Sequence, residues 1–313
     1  MSTLYLDRSG ASLKREGRAL AVYEDGHKRS TVPAALLERV VLAASVQLDS
    51  GVLGFLADQG IAVLVLAGRR REQVAVVTGT PHNEVSRRMA QYRLHANPEW
   101  RLLWSRRLVG HKLAAQERLL RAALRERPDE RHPLTVAVSG LGRLRRQLAE
   151  GSGPELGLPQ VRGIEGAGAA AYFAGLTTVF PPALAFKTRN RRPPRDPVNA
   201  VLSLGYTILH GDAVQACHLA GLDPLVGYLH DVDYGRESLA ADFVEPFRPR
   251  VDRLAWELFR QRALRPEHFE RDGEACLLNK AGRAAFYPAY EQVARPLRRA
   301  LRRVTGRVAR ALP

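Results

Sequence analysis

The pattern of apolar and polar positions changes character near residue 80. Before it, short apolar pieces alternate with polar positions and break at turn residues such as Ser9-Gly10 and Asp25-Gly26, as strands joined by tight turns do. Residues 36–42 and 46–48 continue that pattern. A short helix is expected over residues 51–59, stopped by Gly60, since glycine readily adopts the left-handed turn that ends a helix. The unbroken run IAVLVLAG predicts a strand buried on both faces, and residues 73–77 a last strand. His27 and Asp49 read as surface or turn residues.

After residue 80 the period becomes helical. Asn83 can cap a helix whose pattern runs toward Leu94, and Pro98 interrupts it. A long amphipathic helix follows from Glu99, with Trp100, Leu103, Trp104, Leu108, Leu113 and Leu120 at helical spacing. The two tryptophans continue that apolar stripe, which favours core packing over a base-stacking platform. Residues 128–162 read as helix followed by loop, with a short basic helix at 140–149 and a breaker-rich connection, EGSGPELGLPQ. The small residues from Gly163 to Ala174 allow close approach of neighbouring backbone, and Glu165 would sit near the start of that helix. Asp196-Pro197 is a cap and first turn for a helix that carries Asn199 and Tyr206 and ends at Gly221. Pro246 and Pro249 should kink or restart the chain after Glu245. Residues 295–313 form a basic amphipathic helix, expected to dock on the helical part with its arginines outward. The expected fold class is α+β with two domains: a β-rich, sandwich-like domain over 1–80 and a larger all-α domain over 81–313, with the boundary at Gly79-Thr80-Pro81.

Composition narrows the partners. The chain has 313 residues, 45% of them hydrophobic, enough for two domains and a substantial core. Its formal charge of +16 favours a polyanion through counterion release and long-range steering. An arginine-rich composition that merely loads the surface with charge is the competing explanation. The two cysteines, Cys217 and Cys276, have neither metal-ligand spacing nor a disulfide framework, so a cytoplasmic location is expected. Nothing at the start resembles a secretory leader, and the longest apolar run is too short to span a bilayer. No membrane association is expected.

Candidate chemistry gathers between Gly163 and Arg248. Glu165, His230, Asp242 and Glu245 are potential ligands there, and carboxylates with an imidazole can hold a hard divalent cation with open positions. Asp242 and Glu245 are three apart, so a helix starting at Ser238 would place both on one face. Arg189, Arg191, Arg192, Arg195, Arg236 and Arg248 flank the acids, and guanidinium groups grip phosphates bidentately. Pro193-Pro194 would hold the first four of these in a fixed loop. His82, His95, His111, His132, His210, His218 and His268 read as structural residues, or for His111 a backbone contact to DNA.

Three blocks carry a resemblance. GIEG with a following YF, RxPPxDPVNAxLSxGY, and LHxxxxGRxSLAxDxxExFR occur here in order, at residues 163–173, 191–206 and 229–248. The chain resembles the CRISPR-associated integrase, the metal-dependent DNA endonuclease of the spacer-acquisition module. The resemblance implies that Glu165, His230 and Glu245 are the ligands of Mg²⁺ or Mn²⁺, with Asp242 at a second acidic position close to the metal. LVGHKLAAQERLL also matches the family, at Lys112 and Gln116. Lys112, Arg189, Arg191, Arg192, Arg236 and Arg248 are assigned to DNA contact. The implied partners are double-stranded DNA (spacer precursor and CRISPR repeat), a second copy in a homodimer formed through the β-rich domain, and a small ferredoxin-like adaptation protein bridging two dimers. The implied reaction is in-line attack at phosphorus, joining a DNA 3′-hydroxyl or cutting with water. The alternatives are a branched-DNA nuclease or transposon-type integrase of the same fold, or a non-catalytic DNA-binding scaffold.

Overall fold

The computed structural model describes residues 2–66, 75–79, 82–150, 156–190 and 193–313. The N-terminal part contains β1 (Ser2–Leu6), β2 (Ser12–Glu16), β3 (Ala19–Glu24), β4 (His27–Pro33), β5 (Leu37–Leu42), β6 (Gln47–Leu48), α1 (Ser50–Asp58), β7 (Ala62–Val65) and β8 (Ala75–Val77). They form two four-stranded sheets, ordered β1-β5-β7-β8 and β4-β3-β2-β6. The turn between β3 and β4 is Asp25-Gly26, with φ of 52° and 77°, and this pair of positive φ values matches the twist of a hairpin. Asp49 caps α1 by accepting from the Val52 N–H at 2.8 Å. Gly60, at φ 66°, ends the helical segment, and the Ile61 N–H returns to Leu56 O at 2.8 Å.

The unbroken run in β7 has a physical reason. Val63 belongs to the core between the two sheets and α1, with Leu13, Leu20, Val40 and Phe55. Ala62 and Leu64 face the other way, into the core of the helical part. One sheet therefore serves two cores, and alternation of apolar and polar positions disappears.

The helical part comprises α2 (Val85–Ala96), α3 (Pro98–Glu126), α4 (Arg131–Glu150), α5 (Leu158–Thr177), α6 (Pro197–Ala220), α7 (Ser238–Val244), α8 (Arg248–Arg260), a hairpin of β9 (Phe269–Asp272) and β10 (Ala275–Leu278), and α9 (Lys280–Ala311). The hairpin departs from the all-α expectation. Asn83 does not cap α2, which begins at Val85 with no side-chain cap. Pro98 begins α3 rather than merely interrupting, because Asn97 caps it by accepting from the Trp100 N–H and the first turn needs no proline N–H. The helix expected over 140–149 starts instead at Arg131. α5 begins at Leu158, inside the expected loop, so Glu165 lies two turns into the helix. α9 is one 32-residue helix through Pro288 and Pro296, longer than the terminal helix expected. Thr80 and Pro81 of the expected boundary lie outside the described residues.

Two glycines explain why α5 runs so close to its neighbours. A Cβ at Gly168 would collide with Leu113 Cδ2 of α3, and one at Gly175 would come within 2.7 Å of Ala137 Cβ of α4. Close approach to α3 brings α5, one turn before Gly168, to the level of Lys112. The helical part meets the sheet through buried charge: Arg39 of β5 pairs with Asp212 of α6 and, at 3.1 Å, with Glu291 of α9. No helix among the described residues is long and apolar enough to cross a membrane.

Candidate metal and DNA-cleavage site

Four segments converge on one group of charges. α3 supplies Lys112, α5 supplies Glu165, a short 3-10 turn between α7 and α8 supplies Glu245, and the first residue of α8 is Arg248. The Lys112 ammonium pairs with Glu165 Oε1 and lies 2.6 Å from Glu245 Oε2. Arg248 Nη1 holds the other oxygen, Glu245 Oε1, at 2.9 Å. Burial pushes the Glu245 carboxyl up, yet the Arg248 guanidinium and the Lys112 ammonium outweigh it and lower it to about 2. His230 also lowers it, which places the imidazole within the same electrostatic neighbourhood.

Asp242 and Glu245 do not share a task, despite their spacing. α7 ends at Val244, and Glu245 opens the 3-10 turn ahead of Pro246 with its backbone still helical, at φ −51° and ψ −47°, so the difference lies in what each side chain meets. Asp242 is fully buried and turns toward the loop before α7. It accepts from the N–H groups of Tyr228 at 2.7 Å, Leu229 at 3.0 Å and His230 at 3.2 Å. It also holds His230 Nδ1 at 2.7 Å. A carboxylate only accepts, so Nδ1 carries a proton and Nε2 is the ring nitrogen that remains for a ligand. Asp242 thus orients the imidazole rather than facing the Glu165–Glu245 pair.

Behind this group lies a second one. Asp252 of α8 is buried and accepts from Tyr172 OH at 2.5 Å and from Tyr206 OH. Burial pushes its carboxyl up to about 6, even though both hydroxyls stabilise the anion. Arg189 and Arg248 lie over the Tyr206 ring at 5.4 and 5.1 Å. Arg248 therefore connects the two groups.

The residues assigned to DNA contact have different settings. Lys112 is 6% exposed and engaged with the two glutamates. Arg189 is half-buried and donates to Asn199 Oδ1 at 2.7 Å and Ser203 Oγ at 3.0 Å. Arg191 and Arg192 lie outside the described residues. Arg195 pairs with Glu274 at 3.0 Å. Arg236 is exposed, beside the fully exposed Tyr234. His111 points to solvent. Trp100 and Trp104 pack on Tyr228, with centroids 4.5 and 5.0 Å apart, so the core assignment holds. Asp252, Tyr172, Arg101, Arg162 and Asp231 were missed. Two signals were usable: Tyr172 is the Tyr of the YF block, to which no role was given, and Arg162 stands three residues before Glu165, hidden while residue 162 was assigned to a loop.

Among the described residues no group of three or more His, Cys, Asp and Glu is drawn together tightly enough to hold a metal. The Lys112 ammonium sits between the two carboxylates and pairs with both. The donor set itself fits a hard cation: two carboxylates already gathered by a positive charge, and an imidazole nitrogen that remains for a ligand.

The family model described as CRISPR associated protein Cas1 matches residues 4–292. The chain belongs to the Cas1 family. It is 37% identical over 295 residues to a CRISPR-associated endonuclease Cas1 of Thermodesulfovibrio yellowstonii, covering 93% of this chain and 91% of that one. A Cas1 endonuclease of Rhodospirillum rubrum is 35% identical over 300 residues, covering 93% and 86%. Among solved structures, a Cas1 protein from Thermotoga maritima aligns with a TM-score of 0.84 at 24% identity, over 100% of this chain and 97% of that one. A casposase bound to its integration product aligns at 0.82 and 18% identity, over 99% and 91%. A Cas6-RT-Cas1–Cas2 complex aligns at 0.80 and 20% identity, over 99% of this chain and 35% of that one. The strand-rich then helical fold holds for this Cas1 chain, and its relatives at 35–37% identity are CRISPR-associated endonucleases, as the resemblance implied.

Proposed function

We propose that this Cas1 chain inserts DNA fragments as spacers into a CRISPR array through a divalent-metal-dependent site formed by Glu165, His230 and Glu245. The observation that carries this reading is the Lys112 ammonium between Glu165 and Glu245, a monovalent cation occupying a bridge between two carboxylates. Mg²⁺ or Mn²⁺ bound by those carboxylates and His230 would polarise the scissile phosphate and favour an oxygen nucleophile. The chain's own residues do the rest. Asp242 fixes the tautomer of His230, Arg248 keeps Glu245 ionised, and Lys112 offers a charge that a phosphate oxygen can share once the carboxylates have another partner. Arg236 and Tyr234, exposed on one turn after His230, face incoming DNA.

Double-stranded DNA as substrate is supported by the +16 charge and by the similarity to a casposase bound to integration product. Assembly with a Cas2 partner is supported by the similarity to a Cas6-RT-Cas1–Cas2 complex; the homodimer and the ferredoxin-like nature of the bridging partner rest on the family resemblance. Two buried free thiols, Cys217 and Cys276, suit the cytoplasm. The deciding experiment is strand transfer: protein and small partner with a short duplex and a repeat-bearing plasmid, with Mg²⁺, Mn²⁺ or chelator. Metal-dependent joining abolished by Glu165→Ala and by His230→Ala, with DNA binding retained, supports the proposal. DNA binding with no joining or cutting in any metal refutes it and leaves a scaffold.

A further inference from the structure

His230 is the one proposed ligand carried by a loop, so something must hold that loop. Asp242 does so from the inside. From the outside, two arginines close on it. Arg101 of α3 donates Nε–H to Tyr228 O at 3.1 Å and places Nη2 2.6 Å from Asp231 Oδ1. Arg162 of α5 repeats this one residue on: its Nε donates to Leu229 O at 2.8 Å, and its Nη1 lies 2.7 Å from Asp231 Oδ2. Each guanidinium thus spans a backbone carbonyl and one oxygen of the same carboxylate. Hydrogen bonds from Arg162 and then Arg101 hold the Asp231 carboxyl well below the usual carboxylate range. Ser238 Oγ closes the segment by donating to Asp231 O at 2.6 Å.

The two helices involved are those that bring Glu165 and Lys112. Arg162 lies three residues before Glu165, so both project from the same side of α5. One helix therefore presents a proposed ligand and, a turn earlier, grips the backbone of the loop that carries another. We infer that Arg162 and Arg101, acting through Asp231 and the carbonyls of Leu229 and Tyr228, are positioning residues that set His230 against Glu165. This rests on the proposed metal site. It differs from a phosphate-contact role for the two arginines in giving Asp231, an acid that would repel DNA, the same importance as its partners.

The test uses the full chain and Mn²⁺ alone, with free Mn²⁺ followed by electron paramagnetic resonance. DNA binding is measured separately in chelator. Asp231→Ala and Arg162→Ala are each expected to weaken Mn²⁺ binding about 10-fold, and the double variant little more than either. Arg162→Lys should not restore it, because an ammonium lacks the fork that reaches carbonyl and carboxylate together. DNA retention by Asp231→Ala in chelator should equal or exceed that of the unchanged protein. Asp231 is exposed, so that variant is expected to fold. In metal-free protein, nitrogen resonances of the His230 ring should report the Nδ1-protonated tautomer, and both alanine variants should show exchange between tautomers. Unchanged tautomer and Mn²⁺ affinity in Asp231→Ala would overturn the inference, as would an Arg162→Ala defect confined to DNA binding in chelator. If the unchanged protein binds Mn²⁺ no better than Glu165→Ala, the metal site itself fails, and the ring resonances still decide the positioning role.

Discussion

Two groups of buried charge in this Cas1 chain share their electrostatics and differ in what they permit. Glu245 and Glu291 are both held at about 2 against the upward push of burial, Glu245 chiefly by Arg248 and Lys112, Glu291 chiefly by Arg298 and Arg39. Around Glu291 the cations are guanidiniums. Arg298 Nη2 lies 2.8 Å from it and Arg298 Nε 3.3 Å from Glu38, while Arg39 joins Glu291 to Asp212. That group is closed. Around Glu245 one of the two cations is Lys112, a compact charge on a flexible stem, and Glu165 keeps part of its surface in solvent. An ammonium can swing away without breaking a fork of bonds. The first group ties sheet to helices, and the second holds its carboxylates with a cation that can move.

The comparison predicts opposite phenotypes. If the proposed metal site operates, Glu165→Gln should lower strand transfer by about 10³-fold or more, because a charge that would help hold the ion is gone, with little change in thermal unfolding. Arg39→Ala should do the reverse. It leaves Asp212 and Glu291 buried without their shared cation, a loss of about 3–5 kcal/mol in denaturant unfolding, with DNA-joining by the surviving folded fraction retained. Equal stability losses in the two variants would erase the distinction.

Lys112→Met sharpens it. Removing the ammonium leaves Glu165 and Glu245 facing each other, so the metal-free protein should melt earlier. Added Mn²⁺ should then raise the melting temperature more than in the unchanged protein, as linkage requires when the ion binds only the folded state. A smaller metal-induced rise would show that Lys112 does not stand in for the ion.

The smallest effect concerns Asp252. Its folded pKa, about 6, lies above the ordinary 3.8, so it favours folding below the ordinary value and loses that advantage as pH rises through 6. Asp252→Asn removes the ionisation. Its stability relative to the unchanged protein should improve by roughly 2–3 kcal/mol between pH 4 and pH 7, read from denaturant unfolding at both values. A pH-independent difference would mean that Asp252 keeps its ordinary pKa.

Much of this was legible along the chain, wherever the physics is local. Gly60 ends a helix because its backbone permits φ 66°, and Asp196 caps α6 through a bond to Asn199 N three residues on. The unbroken apolar run of β7 announced burial on both faces. The three blocks that resemble the integrase family placed Glu165, His230 and Glu245 at once, since motif order survives without coordinates. Spacing could not say what each acid would meet: Asp242 and Glu245 stand three apart on helical backbone, yet one holds His230 and the other Lys112 and Arg248. The start of α5 was obscured because a segment rich in Gly and Pro reads as a breaker, whereas Gly157 stands at the N-cap and Pro159 in the first turn, where no proline N–H is needed.

By itself, the sequence determined the family, the succession of a strand-rich and a helical part, the positive charge and the identity of the proposed ligands. Only the tertiary structure decided that Lys112 lies between two glutamates, that Asp242 serves His230, and that Arg101 and Arg162 meet on Asp231. Those contacts join residues far apart along the chain, from Lys112 to Glu245 and from Arg101 to Asp231. Their geometry depends on how closely α3 and α5 approach, which is set by side-chain volumes such as the missing Cβ of Gly168 against Leu113, and no periodicity encodes that distance.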